Sequence, residues 1–276
     1  MLKGDKMKVL VYVNKEKDYE NKILIELQSA LKKEDIEYDI TSSEEFDVCN
    51  DYSALFVIGG DGTILRRTKI ANMNDIPIIG INAGKLGFLS EFEPNDVENA
   101  VKSIKNNQLV LEEKTSLKVV KNGKTYYALN DIVLQKIYVN NAARTTIDVD
   151  MIIDGVEVDS FNCDGVIVST PTGSTAYSLS AGGAILAPNV EGLIITPISP
   201  HSFSHRPVII SSKSTCGLKY KSGSSCGVFA DGKMVFEVEP NEIVDIQLAE
   251  KPTKFYRKKD YNFFNRLSKK LKDRRG

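Results

Sequence analysis

Residues 53–71 read SALFVIGGDGTILRRTKIA: an apolar run, Ser53–Ile58, stops at Gly59-Gly60-Asp61-Gly62-Thr63 and gives way to Ile64–Ala71, a helix-length stretch. This is the pattern of a buried strand entering a helix through a glycine turn, and in an open α/β sheet ligands bind at that end of the strand. Glycines there let backbone N–H groups come close to phosphate oxygens, and the helix N-terminus adds favourable partial charge. A tight turn alone also uses glycines. The carboxylate between them tips the balance, because among phosphate-binding amides it costs energy unless it holds a metal or takes a proton. The pentapeptide is neither a Walker A loop nor a GxGxxG fingerprint.

Outward from this turn the pattern repeats. Met7–Val13 is strand-like, Tyr19–Leu31 has apolar residues at helical spacing, and Pro77–Ile81 reads as another buried strand before a loop with Gly80, Gly84 and Gly87. Pro94 opens a further helix, with acidic residues in its first turn and Val97, Val101 and Ile104 on one face. Strand and helix in alternation imply a parallel sheet covered by helices. Beyond residue 108 Val110–Val120, Thr125–Lys136, Thr145–Ile153 and Val156–Asn162 are β-rich, and Asn122-Gly123 and Asp154-Gly155 sit where tight hairpins need positive φ. The β pattern continues through Val208–Ile210, Cys226–Ala230, Met234–Val238 and Ile243–Leu248, interrupted by Thr170–Ala187, which is rich in Gly, Ser, Thr and Ala. Tyr261–Leu271 places Phe263, Phe264, Leu267 and Leu271 at helical spacing among basic residues. The expected division is an α/β domain over 1–108, a mostly antiparallel all-β domain over 109–255, and a helix in 256–276 that packs back on the N-terminal domain.

With 42% hydrophobic and 26% charged residues, the 276-residue chain has the composition of a soluble globular protein large enough for two cores. Its 36 basic and 37 acidic residues nearly cancel, so no global field draws it to nucleic acid or an anionic membrane. Cys49, Cys163, Cys216 and Cys226 show neither CxxC nor zinc spacing, which fits a reducing cytoplasm. The start reads as neither signal peptide nor membrane span, and Met7 offers a second start.

GGDGT resembles the signature shared by NAD kinases, diacylglycerol and sphingosine kinases and phosphofructokinases, which implies phosphoryl transfer without fixing the acceptor. Four further motifs follow in order. Gly80-Ile81-Asn82-Ala83-Gly84-Lys85-Leu86-Gly87-Phe88-Leu89 resembles the NAD-kinase NxGxLGFL segment, and Leu129-Asn130-Asp131 that family's LNE. Residues 164–177, DGVIVSTPTGSTAY, are similar almost throughout to its DGxxxSTPTGSTAY run, and Thr196-Pro197-Ile198-Ser199-Pro200-His201 completes the set. The resemblance implies a phosphofructokinase-like α/β domain and a homodimer or homotetramer with the β-domain at the interface. It also implies ATP or polyphosphate as donor with Mg²⁺ or another divalent cation, held mainly by the donor phosphates. By the same resemblance Gly59, Gly60, Gly62 and Thr63 hold the donor phosphates. NAD lies against Asp61, Gly62, Phe88, Leu89, Asn130, Asp131, Asp164, Thr172, Thr175, Ala176, Tyr177, Ser180, Ser199 and His201. Asp131 is one methylene shorter than the family's glutamate, Leu89 stands where an aromatic is common, and Asp231-Gly232-Lys233 replaces DGQ, readable as a hairpin turn.

These readings give one expected reaction: transfer of a γ-phosphoryl group to the 2′-hydroxyl of the adenosine ribose of NAD, yielding NADP, with Asp61 as general base. Two alternatives are another GGDGT kinase acting on a lipid or sugar phosphate, and a dinucleotide sensor without catalysis. The hydroxyl-rich Thr170–Tyr177 segment offers neither an apolar lipid site nor a basic sugar-phosphate pocket.

Overall fold

The computed structural model describes residues 6–18, 20–43, 52–84, 87–137, 146–202 and 204–273. The chain divides into two compact units, Met1–Glu113 with Thr253–Gly276, and Lys114–Pro252. The first unit opens with β1 (Lys8–Val13), α1 (Lys22–Lys33), β2 (Glu37–Thr41), β3 (Ala54–Ile58), α2 (Asp61–Met73) and β4 (Ile78–Ile81). A 3-10 turn at Pro94–Asp96 then leads into α3 (Val97–Lys105), followed by β5 (Leu109–Lys114). The second unit runs β6 (Leu117–Lys121), β7 (Lys124–Ala128), β8 (Asp131–Lys136), β9 (Ile147–Ile153), β10 (Val156–Cys163) and β11 (Gly165–Ser169). It goes on through α4 (Tyr177–Ser180), β12 (Gly192–Ile198), β13 (Val208–Ser211), β14 (Cys216–Gly223), β15 (Cys226–Ala230), β16 (Lys233–Val238) and β17 (Ile243–Leu248). The chain then rejoins the first unit with β18 (Thr253–Lys258) and α5 (Phe263–Asp273).

The first unit holds a six-stranded sheet in the order β2-β1-β3-β4-β18-β5, with β1 to β4 and β18 joined by parallel pairs. The apolar residues that mark the helices are the ones that fix them: Leu27, Ala30 and Leu31 of α1 and Val97, Ala100, Val101 and Ile104 of α3 share one buried cluster with β1, β3 and β4. That spacing of three and four puts them on a single helical face. At the start of α1 the Asp18 carboxylate accepts the N–H groups of Ile23 (3.2 Å) and Leu24 (2.9 Å), which have no partner within the helix.

The second unit contains two six-stranded sheets, β10-β9-β14-β17-β6-β7 and β13-β12-β11-β8-β15-β16, in which every pairing is antiparallel. Alternate residues of both sheets meet in one core, including Leu117, Val149 and Leu218 from one and Leu134, Val168 and Ile195 from the other. The Asn-Gly and Asp-Gly hairpins form as the turn chemistry requires, with φ of 50° and 75° at Asn122 and Gly123 and of 49° and 80° at Asp154 and Gly155.

Three details depart from the sequence pattern. Val110–Val120 and Thr125–Lys136 are each two strands in different sheets, since β5 neighbours β18 while Leu117 pairs with Ala128 and Leu248, and β7 and β8 lie in separate sheets of the second unit; an alternating pattern is the same on either side of such a transfer. β2, β11, β12 and β14 join the sheets although the sequence pattern did not mark them, and β18 adds a further strand to the first sheet. Tyr19 and Thr145, the expected starts of a helix and a strand, lie outside the described residues, as does Cys49. Cys163, Cys216 and Cys226 are free and buried, and burial pushes each thiol up to about 12, leaving them unreactive packing residues. Among the described residues no helix is long and apolar enough to cross a membrane.

Candidate active site

In the first sheet the chain order reverses between β1 and β3, the kind of point where open α/β sheets bind ligands. Gly59 leaves β3 there, and Asn14, which follows β1, donates from Nδ2 to Thr63 Oγ1 (2.9 Å), joining the two strand ends. A Cβ on Gly59 would lie 2.6 Å from Thr63 Cβ, so this glycine is required by packing, and Thr63 is buried. Gly60 and Gly62 differ: an added Cβ would meet nothing within 4 Å at either. The backbone N–H groups of Gly60, Asp61 and Gly62 donate to nothing among the described residues. Three free amides at the N-terminus of a thirteen-residue helix, with room for a ligand against the backbone, suit an anion such as phosphate.

Asp61 is fixed by the next glycine motif. Its carboxylate accepts the N–H of Phe88 (2.6 Å) and of Leu89 (3.0 Å), and a Cβ on Gly87 would lie 1.8 Å from Asp61 Oδ1. Gly87 is therefore glycine because the carboxylate occupies the space a side chain would need. The carbonyl side of the same loop is held by two arginines. Arg257 on β18 donates to Phe88 O (3.1 Å) and Leu89 O (3.0 Å), and Arg266 on α5 donates to Gly87 O (2.7 Å) and to Ser90 O. Arg257 is 1% exposed and is paired with Glu91 (3.1 Å) and Glu112 (2.7 Å). Burial pushes the Glu91 carboxyl up from its ordinary value against the pull of Arg257. Leu89 is buried, while the Phe88 ring lies 6.0 Å from that of Phe263 with the Lys270 amine above it. Lys85 and Leu86 of this motif lie outside the described residues.

In the second unit Asn130 and Asp131 stand at the start of β8, held by Asp231. The Asp231 carboxylate accepts the N–H of Leu129 (2.8 Å), Asn130 (2.8 Å) and Asp131 (3.3 Å), and Asp231 N donates back to Asp131 O (3.0 Å). Burial pushes Asp131 up to about 7, with the Asp231 charge adding to the effect; burial also pushes Asp231 up to about 6 against its three N–H donors. The 170–177 segment is stitched to the same turn. Thr170 Oγ1 donates to Leu129 O (2.6 Å), and a Cβ on Gly173 would lie 2.1 Å from Asn130 O. Asn130, Asp131, Thr172, Thr175 and Ala176 thus share one end of β8 and β11, with Tyr177 and Ser180 exposed on α4 just beyond. Several hydroxyls here serve the backbone: Ser174 donates to Pro171 O (2.6 Å) and Thr175 to Thr172 O (3.3 Å).

Asp164, Ser199 and His201 gather at the opposite end of β11. Asp164 accepts a hydrogen bond from Lys136 Nζ (2.6 Å) and donates its own N–H to Ile198 O (2.9 Å), while His201 N donates to Asn162 O (2.8 Å). Ser199 is exposed with φ 47°, and His201 is also exposed. The five residues of β11 separate the two groups by about 17 Å at ~3.3 Å per residue.

The sequence of residues 5–109 matches the model of the ATP-NAD kinase N-terminal domain, and residues 129–258 that of the ATP-NAD kinase C-terminal domain. An NAD kinase of Caldicellulosiruptor bescii is 33% identical over 267 residues, which cover 97% of this chain and 100% of that protein. The chain belongs to the NAD kinase family. An NAD kinase of Sulfurimonas denitrificans is 39% identical over 229 residues, covering 82% of this chain and 79% of the relative. Among solved structures, an NAD kinase from Archaeoglobus fulgidus in complex with ATP superposes with a TM-score of 0.78 at 28% identity, covering 95% of this chain and 99% of that one.

Within this NAD kinase fold, sequence reasoning passed over four residues that build the motifs. Asp231 forms the expected hairpin turn, at φ 49° beside Gly232 at 78°, but its side chain also holds the Asn130 turn. The Asp-Gly pair signalled the turn and nothing local signalled the clamp. Gly87 was read as a loop glycine and a member of the 80–89 motif without a role of its own, Arg266 falls among the basic residues of the 261–271 helix, and Arg257 was not singled out.

Proposed function

We propose that this chain transfers the γ-phosphoryl group of ATP to the 2′-hydroxyl of the adenosine ribose of NAD, giving NADP. The observation that carries the reading is a carboxylate, Asp61, held rigidly beside three free amides at a strand-to-helix turn. The Gly60, Asp61 and Gly62 amides would bind donor phosphate oxygens, with Gly59 and Thr63 shaping the turn. The two N–H bonds use about half of the acceptor capacity of Asp61, so its remaining lone pairs can take the hydroxyl proton as bonding to phosphorus develops. Asn130 and Asp131 bind adenosine in this reading, Asp131 through the ribose hydroxyls, with Thr172, Thr175, Ala176, Tyr177 and Ser180 completing the pocket. Asp164, Ser199 and His201 serve the nicotinamide end.

Among the described residues no group of three or more His, Cys, Asp or Glu could hold a metal ion. Mg²⁺ in this reading is held chiefly by the donor phosphates, where it would neutralise their charge. A homodimer or homotetramer in a reducing cytoplasm completes the proposal.

Incubation with ATP, Mg²⁺ and NAD, followed by an NADP-specific dehydrogenase, tests it. NADP formation dependent on all three is expected. NAD binding without turnover would instead identify a sensor, and neither binding nor turnover a kinase for another acceptor; polyphosphate and NADH in the same assay set the range of donor and acceptor.

A further inference from the structure

We propose that Arg257 and Arg266 are positioning residues for the reaction, acting on Asp61 through two peptide units of the 87–89 loop; the inference rests on Asp61 being the general base. The pairing of contacts carries it. The peptide unit whose N–H is Phe88 N, donated to Asp61 Oδ2 at 2.6 Å, has Gly87 O at its other end, and Arg266 holds that oxygen at 2.7 Å. The next unit, whose N–H is Leu89 N donated to Asp61 Oδ1 at 3.0 Å, has Phe88 O at its other end, and Arg257 holds that oxygen at 3.1 Å. Each oxygen of the carboxylate thus terminates its own chain of guanidinium, carbonyl, amide and carboxylate.

A peptide unit is planar and stiff, so fixing its oxygen fixes the direction of its N–H. A cation on the oxygen also polarises the amide and strengthens the bond it donates. The arginines are themselves fixed. Arg257 spends Nε on Glu112 and shares Nη1 between Glu91 and Leu89 O, and the Tyr261 ring lies 4.8 Å from the Arg257 guanidinium and 5.7 Å from that of Arg266. Two elements far along the sequence, β18 and α5, therefore determine where the Asp61 carboxylate sits, without reaching a reacting atom. Cementing the C-terminal segment to the sheet would require carbonyl contacts of some kind. It would not require that two different arginines take the oxygens of the two units that donate to Asp61.

The test is a pair of double-mutant cycles in the coupled assay. Arg266→Gln, on a half-buried helix position, removes the first chain. Arg257→Lys keeps the charge between Glu91 and Glu112 but gives up the nitrogen that reaches Phe88 O. Each is expected to lower kcat by about 10- to 100-fold with KM for ATP and NAD within about threefold, and Arg266→Lys to recover most of the Arg266→Gln loss. On an Asp61→Asn background, assayed at high enzyme concentration, the same substitutions should change kcat by less than about twofold, since the group they position is gone. Equal losses on both backgrounds would mean a general structural role and overturn the proposal, as would unchanged kcat in both folded variants. Absence of NADP from the parent enzyme would sink the kinase reading instead, so the two failures are told apart.

Discussion

Two carboxylates in this chain do the same local work in opposite surroundings. Asp61 in the first unit and Asp231 in the second each accept consecutive backbone N–H groups of a loop that carries a family motif, two in one case and three in the other. Behind the peptide units that serve Asp61 stand two guanidinium groups, Arg257 on Phe88 O and Arg266 on Gly87 O. Asp231, half-buried, lies near a second carboxyl, that of the buried Asp131, and burial raises both into the range around neutrality. At Asp231 three donated N–H groups do not offset burial, so amides alone do not decide the state of a clamping carboxylate. One clamp is backed by two cations, the other is set beside a second carboxyl.

Substitutions can break or sharpen this contrast. The largest effect is expected from Asp61→Asn, which leaves one oxygen to serve two amides and removes the base: kcat should fall about 10²- to 10⁴-fold while NAD affinity, read by calorimetry, stays within a few-fold. Unchanged turnover would remove Asp61 from the chemistry. Gly87→Ala drives a methyl into the Asp61 carboxylate and should lower kcat by about 10- to 100-fold in a protein that still melts cooperatively. If kcat survives, the loop yields more easily than the clamp implies. Asp231→Asn should raise the KM for NAD about tenfold and cost roughly 1–3 kcal/mol of stability, because its amide group faces backbone N–H donors. Asp131→Ala should raise the KM for NAD as well, and unaltered kinetics would assign Asp131 to structure.

The smallest effect is on stability against pH. An unfolded Asp titrates near 3.8, whereas Asp131 and Asp231 in the fold stand at about 7 and about 6. Between those limits the folded chain holds protons that the unfolded chain has lost, so their contribution to stability falls as pH rises from about 4 to about 7. Asp131→Asn, which stays neutral, should flatten that slope in denaturant titrations and gain on the parent as pH rises. A parallel slope in the variant would place the pair's titration outside the window.

What the sequence made legible was local. The strand-to-helix turn at Gly59–Thr63 and the Asn122-Gly123 and Asp154-Gly155 hairpins could be read because backbone chemistry within a few residues decides them. The order of motifs also led to the family. Contacts across long separations were hidden. Asp231 clamps amides about a hundred residues earlier, and β18, with Lys254, Arg257 and Lys258, looks like an exposed strand until Glu91 and Glu112 are seen to neutralise the buried guanidinium. β2, with its mostly exposed EYDIT, carried too weak an alternation to be seen at all.

Because β18 and α5 follow the second unit along the chain, translation delivers the braces of the 87–89 loop only after the whole second unit has been made. Once the ribosome has passed Lys233 and until it reaches Arg257, the nascent polypeptide carries every signature motif and yet lacks both cations that set its loop. A message truncated before that point would yield a product with all the recognisable sequence and an unfinished centre.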